Sequence, residues 1–267
     1  MKRQLMPLRR ACFVLLAAIL PINHSLAAEP QPIDRKPLRI ILVGDSTMAS
    51  ETGYGDAFCQ RLVKSVTCLN MAKGGRSSAS YRAEGSWAAV QKLLQSGPAN
   101  QTTFVLIQFG HNDQPGKPGR STDLQTEFPV NMRNYVRDVQ SLGAIPVLVT
   151  PLTRREFKGA VLQNSLQDWA NATRGVAQAE HVALLDLNAD SFSTVQQMGS
   201  AEADTLAMAP PTATPDTPPA TAAKGEHFRG FDHTHLGARG AAFFSAMVER
   251  ELLEKVPDLK SEFKDNP

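Results

Sequence analysis

Short apolar runs recur along the chain and alternate with longer segments whose apolar residues follow a helical spacing. The first run, LRIILVG at residues 38–44, is continuous and rich in branched side chains. Such a run is typical of a strand that is buried on both faces of a parallel sheet. Similar runs occupy residues 66–72, 102–110, 144–151 and 182–187. The pattern therefore predicts five strands.

The segments between these runs are predicted to be helices, because they are longer and amphipathic. Some also begin at a Ser or end at a Gly, which are common residues at helix ends. The predicted helices cover residues 55–65, 86–97, 127–143, 162–180 and 237–256. Strands that alternate with helices form βαβ units, which place parallel strands in one sheet with helices against both faces. We therefore expect a single α/β domain of three layers around a five-stranded parallel sheet.

The first 27 residues differ from the rest and have the pattern of a signal peptide. A basic segment comes first, with cations at Lys2, Arg3, Arg9 and Arg10. It precedes a ten-residue apolar run, ACFVLLAAIL, which is too short to span a membrane. We expect residues 1–27 to be removed and the single domain, residues 28–267, to be exported to the periplasm or the cell exterior. A retained membrane anchor is the alternative.

Removal of this leader changes the net charge and the partners to expect. The chain has 28 basic and 26 acidic residues, a formal charge of +2, but four of the basic residues and none of the acidic ones lie in residues 1–27. The remaining domain therefore carries a formal charge of −2. A domain that is acidic overall is not expected to bind nucleic acid. We expect it to act as a monomer, with no membrane contact once the signal is removed.

Two features of the exported domain leave alternatives open. Cys59 and Cys68 are an even pair in an oxidising compartment and either form a disulfide or serve as two small buried side chains. The segment at about residues 207–225 is rich in Pro and Thr and does not build a packed element. It is either a surface insertion or a lid over the site.

Polar residues follow three of the predicted strands at the point where each strand ends. GDS at residues 44–46 follows the first strand, and GHND at residues 110–113 follows the third. A glycine-rich segment at residues 70–78 follows the second. Because ligands bind at the carboxyl ends of the strands in open α/β sheets, we expect these segments to meet at one edge.

Residues that suit nucleophilic catalysis by a serine stand in these segments. Ser46 is the candidate nucleophile. The backbone N–H groups of Ser46 and Gly75 and the side-chain amide of Asn112 can donate hydrogen bonds to an oxyanion. Together they predict an oxyanion hole beside the serine.

A serine nucleophile needs a base, and the segment FDHTHLG before the last predicted helix offers one. Asp232 and His235 are three residues apart, so a turn can place both side chains on one side. The carboxylate can then orient the imidazole while its other nitrogen faces Ser46. An H-x-H metal site from His233 and His235 is the alternative, but the sequence offers no third ligand. We expect neither a metal nor a cofactor.

Taken together, the blocks resemble the SGNH (GDSL) hydrolases. The resemblance lies in GDS, AKGGRS, FGHNDQ and DHTHL, which stand in the order of that family and span residues from about 38 to 252. The longer blocks GDSTMA, NMAKGGRSS, QFGHNDQ and DHTHLGARGA look like the rhamnogalacturonan and pectin acetylesterase branch. The Pro/Thr-rich insertion departs from the pattern of that branch.

The resemblance implies a flavodoxin-like SGNH hydrolase fold and a secreted esterase that removes O-acetyl groups from pectic polysaccharides of plant cell walls. It implies Ser46 as nucleophile, His235 as base and then acid, and Asp232 as the residue that orients the imidazole. It implies an oxyanion hole formed by Ser46, Gly75 and Asn112. The alternatives are an esterase for xylan acetate, peptidoglycan acetate or a lipid, and a secreted carbohydrate-binding protein without turnover.

A pectic substrate would carry galacturonate carboxylates, so cations near the cleft could select it. Such cations follow the second, third and fourth predicted strands, at Lys73, Arg76, Arg82, Arg120, Arg154 and Arg155. The candidate substrate-binding residues are Arg76, Arg82, His111 and Asp113. Ordinary solvated surface charge is the alternative for most of the cations.

Overall fold

A computed structural model describes residues 36–98, 100–208 and 231–264 of the chain. The predicted signal peptide lies outside the described residues, and so does the Pro/Thr-rich segment from residue 209 onward. Both assignments therefore stay predictions.

A parallel sheet lies at the centre of the domain. The strands are Leu38–Gly44 (β1), Thr67–Asn70 (β2), Thr102–Gln108 (β3), Ile145–Val149 (β4), Phe157–Lys158 (β5), Val161–Leu162 (β6) and Ala183–Leu185 (β7). Five of them form one sheet in the order β2-β1-β3-β4-β7, and every neighbouring pair is parallel. The prediction of a five-stranded parallel sheet is confirmed. The short strands β5 and β6 form a separate antiparallel hairpin.

Helices connect the strands and cover the sheet. They are Gly55–Arg61 (α1), Ser80–Ala83 (α2), Ser86–Gln95 (α3), Phe128–Ser141 (α4), Gln167–Ala179 (α5), Leu187–Asp204 (α6) and Ala238–Lys255 (α7), and a 3-10 helix follows at Pro257–Glu262. Each of the five predicted helices is present. The helix predicted to begin at residue 162 begins only at Gln167, because Val161 and Leu162 pair in the hairpin. Among the described residues, no helix is both long enough and apolar enough to cross a membrane.

Helix α6 was not predicted. Few of its residues are buried and apolar, so its sequence lacks a clear stripe. Gly199 also interrupts the helical conformation, with φ 74° and ψ 167°. By contrast, α4 ends where the sequence indicated, because Gly143 follows it with a φ of 74° that glycine adopts without strain.

The central strands are buried on both faces, as their continuous apolar runs predicted. In β1, Ile40 and Leu42 belong to one apolar cluster, whereas Ile41 and Val43 belong to a second. All four side chains are fully buried. Because successive side chains of a strand point to opposite faces, such a run requires helices on both sides of the sheet.

Cys59 of α1 and Cys68 of β2 form a disulfide, which decides between the two alternatives for this pair. Replacing both cysteines with alanine should lower the free energy of unfolding by about 2–3 kcal/mol, because the cross-link restricts the unfolded chain. Urea unfolding of the variant and the wild type measures the difference. Reduced wild type should match the variant, and a variant as stable as the oxidised protein would contradict the prediction.

Glu251 in α7 carries a buried carboxyl group. Its exposed fraction is 4%, and among the described residues neither carboxyl oxygen has a partner. Burial and the nearby charge of Asp190 raise the pKa of Glu251 to about 8, against the opposing charge of Arg250. A raised pKa means that the folded state prefers the protonated carboxyl. The stability it contributes is therefore complete below a pH of about 4.5 and is lost as the pH rises through about 8.

We expect Glu251→Gln to remove this pH dependence. Between pH 5 and pH 9, the free energy of unfolding of the wild type should fall by up to about 4 kcal/mol more than that of the variant, since one pKa unit corresponds to about 1.4 kcal/mol. Urea unfolding at both pH values measures the difference. Glu51→Gln changes an exposed carboxylate on the loop after β1, which is not among the charges that shift the pKa of Glu251, and should keep the wild-type dependence. Equal losses for the wild type and Glu251→Gln would refute the assignment.

Candidate active site

The candidate site lies where β1 and β3 end side by side. From β1 the chain continues to β2 in one direction along the sheet, whereas β3 continues to β4 in the other, so the carboxyl ends of β1 and β3 form the switch point at which open α/β sheets bind ligands. Ser46 lies at the end of β1, on a tight turn closed by the Ala49 N–H, which donates to the Asp45 carbonyl at 3.0 Å. Gly44 permits the strands to approach, because a Cβ there would lie 2.8 Å from the Gln108 carbonyl oxygen.

A continuous chain of hydrogen bonds joins the predicted nucleophile, base and carboxylate. His235 Nε2 lies 2.8 Å from Ser46 Oγ, and His235 Nδ1 lies 2.8 Å from Asp232 Oδ2. Ser46 has an exposed fraction of 6%, so its hydroxyl is shielded but still reachable. The structure therefore brings together all three residues, in the arrangement of a Ser-His-Asp triad.

The carboxylate of Asp232 also builds the turn that carries the histidine. Its Oδ1 accepts hydrogen bonds from the backbone N–H groups of Thr234 at 2.8 Å and His235 at 2.9 Å. Burial by itself raises the pKa of Asp232, but the hydrogen bonds and charge of His235 outweigh it and lower the pKa to about 2. Asp232 is therefore ionised at every pH at which an imidazole titrates.

Arg155 also stabilises this turn, through hydrogen bonds to its backbone. Its guanidinium donates to the carbonyl oxygens of Asp232 at 3.0 Å, His235 at 2.8 Å and Thr234 at 3.4 Å. Its own backbone N–H donates to the His233 carbonyl at 2.8 Å. The side chain is fully buried, and burial lowers its pKa to about 10, so it is still a cation at neutral pH. The sequence had placed Arg155 among the cations near the cleft, whereas the structure places it in the interior.

The glycine-rich segment passes directly beside Ser46. A Cβ on Gly74 would lie 3.7 Å from the Cβ of Ser46, and Gly75 has a left-handed φ of 76°. The Lys73 N–H donates to the Gly44 carbonyl at 2.9 Å, which ties the segment to the end of β1. The segment that contains Gly75 thus passes next to the serine, and the role of the Gly75 N–H in an oxyanion hole stays a prediction.

Asn112 is held with its amide in one orientation. Its Nδ2 donates to the Arg76 carbonyl at 3.0 Å, and its Oδ1 accepts from Arg120 Nη1 at 3.4 Å. Arg120 Nη1 also lies 3.5 Å from the Gly75 carbonyl oxygen, so one guanidinium joins two predicted contributors to the oxyanion hole. An amide nitrogen carries two hydrogens, and the second one of Asn112 is the candidate donor to substrate.

Asp113 has a different environment from the one expected of a substrate-binding residue. It is fully buried and accepts hydrogen bonds from Ser78 Oγ at 2.6 Å, the Ser78 N–H at 3.1 Å and Thr122 Oγ1 at 3.0 Å. Burial raises its pKa to about 6. With no exposed surface, Asp113 connects the glycine-rich segment to the loop after β3 instead of facing a substrate.

His111 forms a second, buried pair with Asp45, behind the nucleophile. Its Nδ1 lies 3.3 Å from Asp45 Oδ2, and both side chains are almost completely buried. Burial lowers the pKa of His111 in spite of the opposing effect of Asp45. Burial raises the pKa of Asp45, but His111 and hydrogen bonds from Thr47 outweigh it and lower the pKa. An exposed fraction of 2% gives His111 little surface for a polymer.

A row of hydrogen bonds that the sequence did not reveal supports this pair. Thr47 Oγ1 donates to Asp45 Oδ1 at 2.8 Å and accepts from Gln108 Nε2 at 2.6 Å. Gln108 Oε1 in turn accepts from the buried Tyr54 hydroxyl at 2.9 Å. The only local signal was a polar Gln at the end of an apolar strand.

The two arginines predicted to bind substrate are already paired with carboxylates. Arg76 Nε lies 2.9 Å from Glu84 Oε2, and Arg82 Nη2 lies 2.8 Å from Asp138 Oδ2. The Arg82 guanidinium also lies 4.9 Å from the centre of the Tyr135 ring. Arg76 is near the site through its carbonyl, which accepts from Asn112, whereas the contacts of Arg82 are with α4 and with Trp87 of α3.

His233 points away from the triad. Its Nδ1 lies 3.5 Å from Asp204 Oδ1, and its ring contacts Phe231. Within residues 36–98, 100–208 and 231–264, no three His, Cys, Asp or Glu side chains are grouped as metal ligands.

Two similar proteins of Bacillus subtilis are named as rhamnogalacturonan acetylesterases, one of them as probable. The chain is 29% identical over 229 residues to a rhamnogalacturonan acetylesterase, a match that covers 82% of this chain and 91% of the relative. It is 27% identical over 222 residues to a probable rhamnogalacturonan acetylesterase, covering 80% of this chain and 92% of the relative.

Solved structures share the fold at lower identity. The crystal structure of the Bacillus subtilis protein YxiM matches with a TM-score of 0.63 at 23% identity, over 84% of this chain and 58% of that protein. An acetylxylan esterase of Geobacillus stearothermophilus matches with a TM-score of 0.53 at 14% identity, over 82% of this chain and 93% of that one. At these identities the likeness concerns the fold alone.

The match to a protein family covers most of the described domain. Residues 42–243 match the family model of the GDSL-like lipases and acylhydrolases. This span contains the serine turn, the glycine-rich segment, the GHND segment and the Asp-x-x-His turn. The chain therefore belongs to the GDSL-like lipase/acylhydrolase family and is an esterase of the SGNH type.

Proposed function

We propose that the protein is a serine acetylesterase that removes O-acetyl groups from pectic polysaccharide. The observation that carries the proposal is the chain of 2.8 Å contacts from Ser46 through His235 to Asp232, beside the Gly75 and Asn112 donors. Carbohydrate binding alone does not require a hydroxyl, an imidazole and a carboxylate aligned in this way. The family and the names of the relatives support an acetyl ester as the bond that is broken.

In the first half of the proposed reaction, the acetyl group moves to the enzyme. Ser46 Oγ attacks the acetyl carbonyl carbon while His235 Nε2 takes the hydroxyl proton. Asp232 stabilises the imidazolium that forms. The N–H groups of Ser46 and Gly75 and the amide of Asn112 donate to the oxyanion, a type of contact that contributes about 3–4 kcal/mol per donor in other hydrolases. The C–O bond to the sugar then breaks, and His235 gives the proton to the departing sugar oxygen.

In the second half, water releases the acetyl group. His235 takes a proton from a water molecule as the water oxygen attacks the acetyl-enzyme carbonyl, and it then returns the proton to Ser46 Oγ. The net reaction consumes one water and yields a free sugar hydroxyl and acetate. No step uses a metal or a cofactor.

Export of the protein is part of the proposal, because a plant cell-wall polymer is an extracellular substrate. The Cys59–Cys68 disulfide supports it, since such cross-links persist in oxidising compartments such as the periplasm and the cell exterior. The predicted signal peptide supports it independently. The partner is then the acetylated polymer itself, met by a monomeric enzyme.

Release of acetate from a panel of polymers tests the proposal. We expect the wild type to act on acetylated rhamnogalacturonan or homogalacturonan and to be much weaker on acetylated xylan, with Ser46→Ala as the inactive control. Release from xylan alone would keep the serine mechanism and overturn the pectic substrate. No release from any polymer or from 4-nitrophenyl acetate would overturn the enzyme assignment in favour of a binding protein.

A further inference from the structure

The structure separates the six cations that the sequence placed near the cleft. Lys73 and Arg76 share the Glu84 carboxylate, which lies within 4 Å of both, and Arg82 pairs with Asp138, so each of the three already has an anionic partner. Arg120 contacts Gly75 and Asn112, and Arg155 is enclosed beneath the catalytic turn. Arg154 is the remaining member of this set and has a different environment.

Within the described residues, the hydrogen-bond partners of the Arg154 guanidinium are neutral hydroxyl groups. Its Nη1 donates to Ser165 Oγ at 2.8 Å, and its Nε donates to Thr234 Oγ1 at 3.3 Å. Across the described part of the chain, no carboxylate forms an ion pair with the Arg154 guanidinium, and its Nη2 donates no hydrogen bond. Burial lowers the pKa of Arg154 against the opposing charges of Glu156 and Asp45, so the site holds a partly desolvated cation that is not hydrogen-bonded to either carboxylate. A carboxylate or phosphate is the ligand that matches such a fork.

The position of Arg154 is fixed by the active site itself. Thr234 lies between Asp232 and His235 in the catalytic turn. The carbonyl oxygen of Ser165 accepts a hydrogen bond from Gln114 Nε2 at 2.7 Å, and Gln114 directly follows the GHND segment. The Arg154 charge also lowers the pKa of His111, so its field extends to the buried pair behind Ser46. A sugar unit next to the acetylated one would therefore come within reach of this guanidinium.

We propose that Arg154 binds the carboxylate of an acidic sugar unit that neighbours the acetylated unit, and that it thereby selects acidic polysaccharides. The inference rests on the proposed function, because it concerns the polymer presented to Ser46. Nη2 and the second hydrogen of Nη1 provide the two parallel donors that a carboxylate accepts. Thr234 and Ser165 hold the fork without neutralising it. The residue is a specificity determinant, since the acetyl carbonyl does not need it.

Arg154→Gln tests the inference on matched substrates. The first substrate is acetylated homogalacturonan with free carboxylates, the second is the same polymer with its carboxylates methyl-esterified, and the third is 4-nitrophenyl acetate. We expect the variant to raise the KM for the free-acid polymer about 10-fold or more, as for loss of a hydrogen bond to a charged group, with kcat nearly unchanged. On the methyl ester and on 4-nitrophenyl acetate, the variant and the wild type should be alike. Unacetylated oligogalacturonide should inhibit the wild type more strongly than the variant.

Two further variants make the result specific. Arg154→Lys keeps the charge but loses the fork and should give an intermediate KM. Arg137→Gln removes the same charge from an exposed arginine that pairs with Glu180, and it should match the wild type on all three substrates.

The outcomes separate this inference from the proposed function. If the wild type releases acetate from the free-acid polymer and Arg154→Gln does so with the same KM, only the inference fails. If the variant loses activity equally on 4-nitrophenyl acetate, Arg154 acts on the catalytic turn through Thr234, and the carboxylate assignment is overturned. If the wild type acts on 4-nitrophenyl acetate but on neither pectic polymer, the proposed substrate fails and the inference fails with it.

Discussion

Ser46→Ala should reduce kcat for acetyl ester hydrolysis by about 10⁵-fold or more while the protein folds normally. The substitution removes the oxygen that lies 2.8 Å from His235 Nε2 and leaves the rest of the site in place. Water would then have to attack the ester directly, with only the oxyanion donors to help. The backbone of residue 46 keeps its own contact, since its carbonyl accepts from Thr52 Oγ1. Initial rates with 4-nitrophenyl acetate and acetate release from polymer both measure the loss.

Ser50→Ala provides the matched control. Ser50 is an exposed serine on the same loop, and its hydroxyl donates to Asp56 at 3.2 Å. We expect this variant to keep wild-type kcat. Urea unfolding of both alanine variants should agree with the wild type within about 1 kcal/mol, as for most substitutions without a cavity or a lost network. A Ser46→Ala enzyme with more than a tenth of the wild-type rate would exclude Ser46 as the nucleophile.

The sequence predicted the sheet and the triad because both leave local signals. A strand buried on both faces is apolar at nearly every position, and LRIILVG is such a run, with Arg39 as its one charged residue. The Asp232–His235 pair is local as well, since the carboxylate reaches the backbone and the ring of a residue three positions later. The order of strands then places Ser46 and this turn at the same edge.

The neighbours Arg154 and Arg155 illustrate what the sequence could not supply. They are adjacent arginines with the same side-chain chemistry. Arg155 is buried and donates to the backbone of the catalytic turn, whereas Arg154 donates to neutral hydroxyl groups beside that turn. Their contacts with that turn join residues 77 to 80 positions apart. Such contacts arise only when the sheet has assembled, so neither residue type nor spacing distinguishes the two.

Contacts between residues far apart in the sequence also explain why two residues predicted to bind substrate have other partners in the structure. Asp113 stands in the GHND segment beside Asn112, but its carboxylate turns to Ser78, 35 positions away. The partner of Arg82 is Asp138, which is 56 positions away on α4. Proximity in sequence to a functional residue therefore predicted the location of the segment, but not the direction of each side chain.

Asp232→Asn should reduce kcat by about 10³–10⁴-fold, the loss seen when the acid of a Ser-His-Asp triad becomes an amide. The amide oxygen can still accept from the N–H groups of Thr234 and His235, so the turn keeps its shape. The amide nitrogen then faces His235 Nδ1 and donates to it. The ring proton must move to Nε2, which would donate to Ser46 Oγ instead of accepting its proton. The loss should appear in kcat with little change in KM.

The pH profile separates the carboxylate from the imidazole. Because the pKa of Asp232 is about 2, the carboxylate is ionised throughout the acid limb of the wild type, and the fall of kcat/KM toward acid should contain no step from Asp232. Asp204→Asn is the control, because it alters the carboxylate 3.5 Å from His233, the other histidine of the turn, and should leave kcat nearly unchanged. If Asp232→Asn kept wild-type kcat, the orientation of His235 would have to come from the hydrogen bonds that Arg155 donates to the backbone of the turn. Loss in Asp204→Asn with activity in Asp232→Asn would make His233 the base and reverse the assignment of the two histidines.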